Sequence, residues 1–145
     1  MRSESSSALK VPELDLSRLT ITDTTFQSFL VAQPSFSERI QSLTMDISAL
    51  SVEGFDRFQY LPRHSTLKIA LSNLSSLDAL ADCRHLRLLT RLDLRQNMIR
   101  VAGALVFASS VNMRSRTTLD LIGSGISSVG AQALRQQYST CRISV

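Results

Sequence analysis

The stretch Leu89-Thr90-Arg91-Leu92-Asp93-Leu94-Arg95-Gln96-Asn97-Met98-Ile99 decides the fold. Leu92 and Leu94 alternate with Arg91, Asp93 and Arg95, the period of a strand that buries one face. Asn97 breaks the alternation at a polar turn position, and Ile99 is apolar again. Working outward, the same Leu-Asp-Leu triplet recurs at Leu14-Asp15-Leu16 and Leu119-Asp120-Leu121. Equivalent apolar pairs lie at Leu43-Thr44-Met45, Leu67-Lys68-Ile69 and Ile143-Ser144-Val145. The first positions of the six pairs are 29, 24, 25, 27 and 24 residues apart. Such spacing marks an internal repeat in which each unit stacks on its neighbours, because no unit can bury its apolar face alone.

The longer pattern reads apolar, two residues, apolar, one, apolar, two, a polar turn position, one, apolar. Complete windows cover 11–21, 40–50, 64–74, 89–99 and 116–126. Of their 20 apolar sites, 18 hold apolar residues, where a 43% apolar composition would fill about 9. His64 and Arg116 are the two exceptions.

This pattern resembles the leucine-rich repeat family, L-x-x-L-x-L-x-x-N-x-L. The second halves of three repeats are similar to the ribonuclease-inhibitor subtype. There Gly54, Gly103 and Gly130 each follow the last apolar position by four residues, and Phe58, Phe107 and Leu134 follow by four more. The array departs from the family at its Asn position, filled by Leu19, Ser48, Ser72, Asn97 and Ser124, and Asp78 stands where the third repeat would place Gly. The resemblance covers 11–145 and implies an α/β fold: a short, degenerate leucine-rich repeat solenoid. About six parallel strands would line its concave face, with helices on the convex side near 25–31, 54–60, 76–88, 104–110 and 129–137. Six strands about 4.8 Å apart make a sheet roughly 24 Å across.

A chain of 145 residues suits one domain, here 11–145, preceded by a Ser-rich leader over 1–10 expected to be disordered. Charged residues at 19% beside 43% apolar ones exclude global disorder. With 22 Leu, no Trp and 6% aromatics, the core is expected to be aliphatic. No apolar run reaches the roughly 20 residues of a membrane span, and the leader lacks the apolar segment of a secretion signal. Cys83 and Cys141 are too few for a disulfide framework, so both read as reduced thiols in a cytoplasmic compartment. An assembly on the cytoskeleton or an organelle fits the same reading.

Charge is unevenly placed. Residues 1–62 hold 5 basic and 8 acidic residues, a balance of −3, and residues 63–145 hold 11 and 4, a balance of +7. The basic half does not form a nucleic-acid stripe: its Arg residues are dispersed, and only Phe107 and Tyr138 could stack on bases.

The expected concave face can be read column by column. The central column is Asp15, Thr44, Lys68, Asp93, Asp120 and Ser144, and the preceding one is Glu13, Ser42, Thr66, Arg91, Thr118 and Arg142. Arg91, Asp93 and Arg95 point the same way on one strand, with Lys68 and Asp120 on either flank of Asp93. These five are the candidate partner-binding residues, two guanidinium forks framing a carboxylate. The plainer alternative is a solvated face whose ion pairs each contribute about 1 kcal/mol at most.

The end strands form a second candidate. Ile143 and Val145 on the last strand, and the first strand blunted only by Pro12, are expected to dock end-on to another protein or to a second copy. The terminal Ile143-Ser144-Val145 also matches a loose ligand pattern for strand-adding domains, although a sixth strand accounts for both apolar residues.

No chemistry emerges. Asp78, Asp82 and His85 at i, i+4 and i+7 would share one helix face, a pattern able to hold a metal but equally a solvated stripe. No cofactor and no catalytic residue is expected. The expected function is a non-catalytic protein-interaction module, a small subunit or adaptor of a larger assembly. The alternatives are a regulator of a GTPase or nuclease, and a substrate-selecting adaptor in ubiquitin ligation, with RNA binding less favoured.

Overall fold

The computed structural model describes residues 12–46, 50–70, 75–113 and 118–145. The expected leader, and Ser48, Ser72 and Arg116, lie outside them. Six strands form: β1 (Glu13–Leu16), β2 (Ser42–Asp46), β3 (Thr66–Ala70), β4 (Arg91–Asp93), β5 (Thr118–Asp120) and β6 (Arg142–Ser144). Among the described residues they make one parallel sheet in chain order. Each apolar pair expected from the repeat supplies a strand. The register aligns Leu14, Leu43, Leu67, Leu92, Leu119 and Ile143 in one row. That row faces the core: Leu43, Leu67 and Leu92 are fully buried. A slip of one residue would turn the whole row to solvent, which is why the pattern holds the register.

Helices return the chain between strands, as parallel pairing requires. They are α1 (Asp23–Ala32), α2 (Pro34–Ser37), α3 (Val52–Asp56), α4 (Ser75–Asp82), α5 (Arg100–Ser109) and α6 (Ser128–Gln137), with 3-10 turns at Arg57–Tyr60, Arg84–Leu88 and Val111–Met113. Their starts follow local rules. Thr22 and Thr25 cap the α1 N-terminus reciprocally, and Ser51 and Ser127 cap α3 and α6. Gly130 lets α6 lie against α5, since a Cβ there would sit 2.9 Å from the Ala104 Cβ. A Cβ at Gly54 would likewise collide with the Asp23 carboxylate and approach the Leu50 Cδ2 to 2.8 Å.

The structure departs from expectation in three places. The helix expected over 76–88 is broken: Cys83 is extended (ψ 107°), and the chain resumes as a 3-10 turn at Arg84. The break puts His85 on a separate turn from Asp78 and Asp82, so the three share no helix face. Its cause is a set of side-chain donors. Ser110 Oγ donates to the Ala81 carbonyl at 2.5 Å, and Asn112 Nδ2 donates to those of Ala81 and Asp82 at 3.3 and 2.9 Å. These groups satisfy the last carbonyls of α4, which an α-helix cannot pair internally.

The second departure is α2, which the repeat pattern did not mark; Pro34 opens it at the position a helix tolerates best. The third is the core. It is aliphatic beneath the sheet, but Phe26, Phe55, Phe58 and Phe107 fill the helix side. Phe58 packs between Phe26 and Phe55, with ring centroids 5.6 and 5.9 Å away. His64, an exception to the apolar pattern, is nonetheless buried, with its Nδ1 on the Leu61 carbonyl and its ring 5.6 Å from that of Phe58.

Candidate partner-binding face

The sheet face opposite the buried Leu row carries the five candidate residues, on three adjacent strands. Lys68 of β3 lies in register with Asp93 of β4, and Asp93 with Asp120 of β5. Two carboxylates directly opposite each other repel. Arg95, in the turn after β4, resolves this. Its guanidinium holds Asp93 through Nε at 3.0 and 3.1 Å and Nη2 at 2.8 Å, and its Nε stands 3.6 Å from Asp120 Oδ2.

Arg91 plays no such part. It sits one column away between Thr66 and Thr118, exposed, and no ion pair reaches it or Lys68 among the described residues. Of the two guanidinium forks, then, one closes on the carboxylate and the other stays open to solvent.

The three Leu-Asp-Leu triplets share a second role that sequence reasoning missed. Each Asp accepts the backbone amide two residues on: Asp15 from Ser17 at 2.9 Å, Asp93 from Arg95 at 3.1 Å and Asp120 from Ile122 at 3.2 Å. This side-chain turn ends the strand. The recurrence of Asp between the two leucines was the available signal.

The bonding biases the acids. Burial works to raise the Asp93 carboxyl, but the hydrogen bonds of Arg95 and the charges of Arg95 and Lys68 outweigh it and hold the group below its ordinary value. Hydrogen bonds from Ser17 lower Asp15 in the same way. The Arg95 guanidinium is pushed further up by Asp93.

Behind the face, the turns are tied to one another. Asn97 Nδ2 donates to the Ile69 carbonyl at 3.0 Å and to that of Leu94 at 2.8 Å, and Ser124 Oγ donates to the Leu94 carbonyl at 2.7 Å. Both side chains are buried, whereas Leu19 at the corresponding place of the first unit is 56% exposed. The helix side has a parallel set of ties. Cys83 Sγ donates to the Phe55 carbonyl at 3.4 Å, Ser110 Oγ to that of Ala81, and the Tyr138 hydroxyl to those of Phe107 and Ser110, the latter at 3.1 Å. Burial pushes the Cys83 thiol up and so keeps it protonated.

An open groove of about 710 Å³ crosses the face from Glu13 and Asp15, past Lys68, to Arg95 and Ile122. Ile143 and Val145 stand apart from it on the β6 edge: Ile143 is half-buried against the core, and Val145 is 43% exposed. Among the described residues no helix is long and apolar enough to cross a membrane. Comparison with known proteins finds no matching family model, no matching curated protein and no matching solved structure.

Proposed function

We propose that the chain is a short leucine-rich repeat solenoid of the ribonuclease-inhibitor-like kind, working as a non-catalytic protein-interaction module within a larger assembly. The partner docks on the concave sheet face at Lys68, Arg91, Asp93, Arg95 and Asp120. The observation that carries this reading is the division of labour on that face. Arg95 bridges Asp93 and Asp120, while Lys68 and Arg91 stay exposed and without an ion pair among the described residues. A partner offering carboxylates would meet two exposed cations beside acids that Arg95 already bridges. The ties formed by Asn97 and Ser124 also support the repeat reading, since they place polar donors at the family's turn position.

The test is the double neutralisation Lys68→Gln with Arg91→Gln, which removes both cations without setting a new carboxylate opposite Asp93. Affinity purification with quantitative mass spectrometry on both forms identifies the partner, and titration of that partner measures the loss. Binding at least tenfold weaker in the variant, and weaker at higher salt, is expected. Equal affinity for every recovered protein removes the sheet face as the docking site.

A further inference from the structure

We propose that copies of this chain associate head to tail, the β6 edge of one copy continuing in parallel onto the β1 edge of the next. The proposal develops the end-on expectation and does not depend on a partner at the sheet face.

Three observations converge. Among the described residues the sheet is parallel and in chain order, so its two outer strands, β1 and β6, point the same way. A simple translation therefore brings β6 of one copy beside β1 of another with the strand sense kept. The apolar row supplies the second. Leu43, Leu67, Leu92 and Leu119 inside the sheet are buried, whereas Leu14 and Ile143 at its two edges are only partly so. Continuing the register sets Ile143 beside Leu14 of the next copy and completes the cover of both.

Charge supplies the third. Glu13 and Arg142 occupy the same column, at opposite ends of the register Glu13–Ser42–Thr66–Arg91–Thr118–Arg142. Both are exposed. Continuing the sheet places Arg142 of one copy directly opposite Glu13 of the next, a favourable cross-strand pair. Antiparallel pairing of two β6 edges about Ile143 would set Arg142 opposite Ser144 and gains no such pair.

Backbone bonding limits the strength. At the internal junctions the Ser42, Thr66 and Arg91 amides each donate to the preceding strand at 3.0–3.2 Å, and so do the residues just before them, Gln41, Ser65 and Thr90, at 2.8–3.0 Å. On the β1 edge Glu13 can donate in this way, but Pro12 has no amide. The contact thus makes one rung fewer than an internal junction and is weaker than it. Because the two surfaces differ, the association does not stop at two copies; it grows into an open chain or closes into a ring.

Sedimentation velocity of the purified chain over a wide concentration series tests this. Mass-average size is expected to rise past a dimer. Glu13→Arg and Arg142→Glu are each expected to weaken association about fivefold or more, while circular dichroism shows both variants folded, since the two side chains are exposed. Mixing the two variants restores growth, because the cation introduced on the β1 edge of one then meets the carboxylate introduced on the β6 edge of the other. A monomer at every concentration overturns the proposal, as does growth that ends at a dimer, a single reversal without effect, or a mixture that fails to restore growth. Loss of a different protein from Arg142→Glu, with the pure chain monomeric, also overturns it and assigns the edge to that protein.

Discussion

The Asn97 backbone amide donates to the Ser124 hydroxyl oxygen at 3.3 Å, tying the turn after β4 to the turn after β5. The Asn97 side chain meanwhile reaches the opposite way, to the Ile69 carbonyl. Asn97→Ala takes the side-chain donor from the Ile69 carbonyl and leaves Leu94 with Ser124 alone, at a cost of about 2 kcal/mol. Asn97→Ser keeps one donor, as Ser124 does, and costs less. Urea denaturation of both variants gives the order; equal stability of all three forms would show that these ties carry no weight.

Tyr138 holds the end of α5 from the next unit. Tyr138→Phe keeps the ring and removes the hydroxyl that donates to Phe107 and Ser110. A loss of about 1–2 kcal/mol is expected, together with faster hydrogen exchange confined to the last turn of α5 and to 111–113.

Acid sensitivity follows from Asp93. Its folded carboxyl titrates below the ordinary value of 3.8, so the unfolded chain binds the proton first as pH falls. The stabilisation is therefore full above about pH 4 and is lost as pH drops through the lower folded value. Asp93→Asn is expected to flatten the stability–pH curve below about pH 4. An unchanged slope there would refute the assignment.

Arg95→Met makes the complementary case. It leaves Asp93 and Asp120 facing each other without their shared cation, so stability falls, and the loss is greater at low salt than at high salt. The loss is small and fades as salt rises, because Arg95 is 47% exposed and solvent screens the pair.

Close packing of α5 on α6 depends on Gly130. Gly130→Ala places a methyl 2.9 Å from the Ala104 Cβ and 3.2 Å from the Ile126 Cγ2, and a cost of about 1–3 kcal/mol is expected. Combining it with Ala104→Gly relieves the nearer clash, so the double variant is predicted to lose less than the two single losses added together.

The strands and their register were legible because a two-residue period repeated six times leaves one way to turn the row from Leu14 to Ile143 toward the core. Helix ends were less so. The break at Cys83 is set by Ser110 and Asn112, whose positions relative to α4 appear only once the units stack. The choice between Arg91 and Arg95 had the same origin. Both are Arg flanking one Asp, but only Arg95 sits in the turn that Asp93 itself closes through the Arg95 amide. Phe58 and Phe107 stand at helix positions that the repeat marks, whereas Phe26 and Phe55 escaped the aliphatic expectation because composition counts residues and not addresses.

The helix-side ties run in one direction along the chain. Phe55 waits for Cys83, 28 residues later; Ala81 for Ser110, 29 later; Phe107 for Tyr138, 31 later. A chain cut before any of these donors would therefore leave a carbonyl of α3, α4 or α5 without the side chain that meets it in the whole fold.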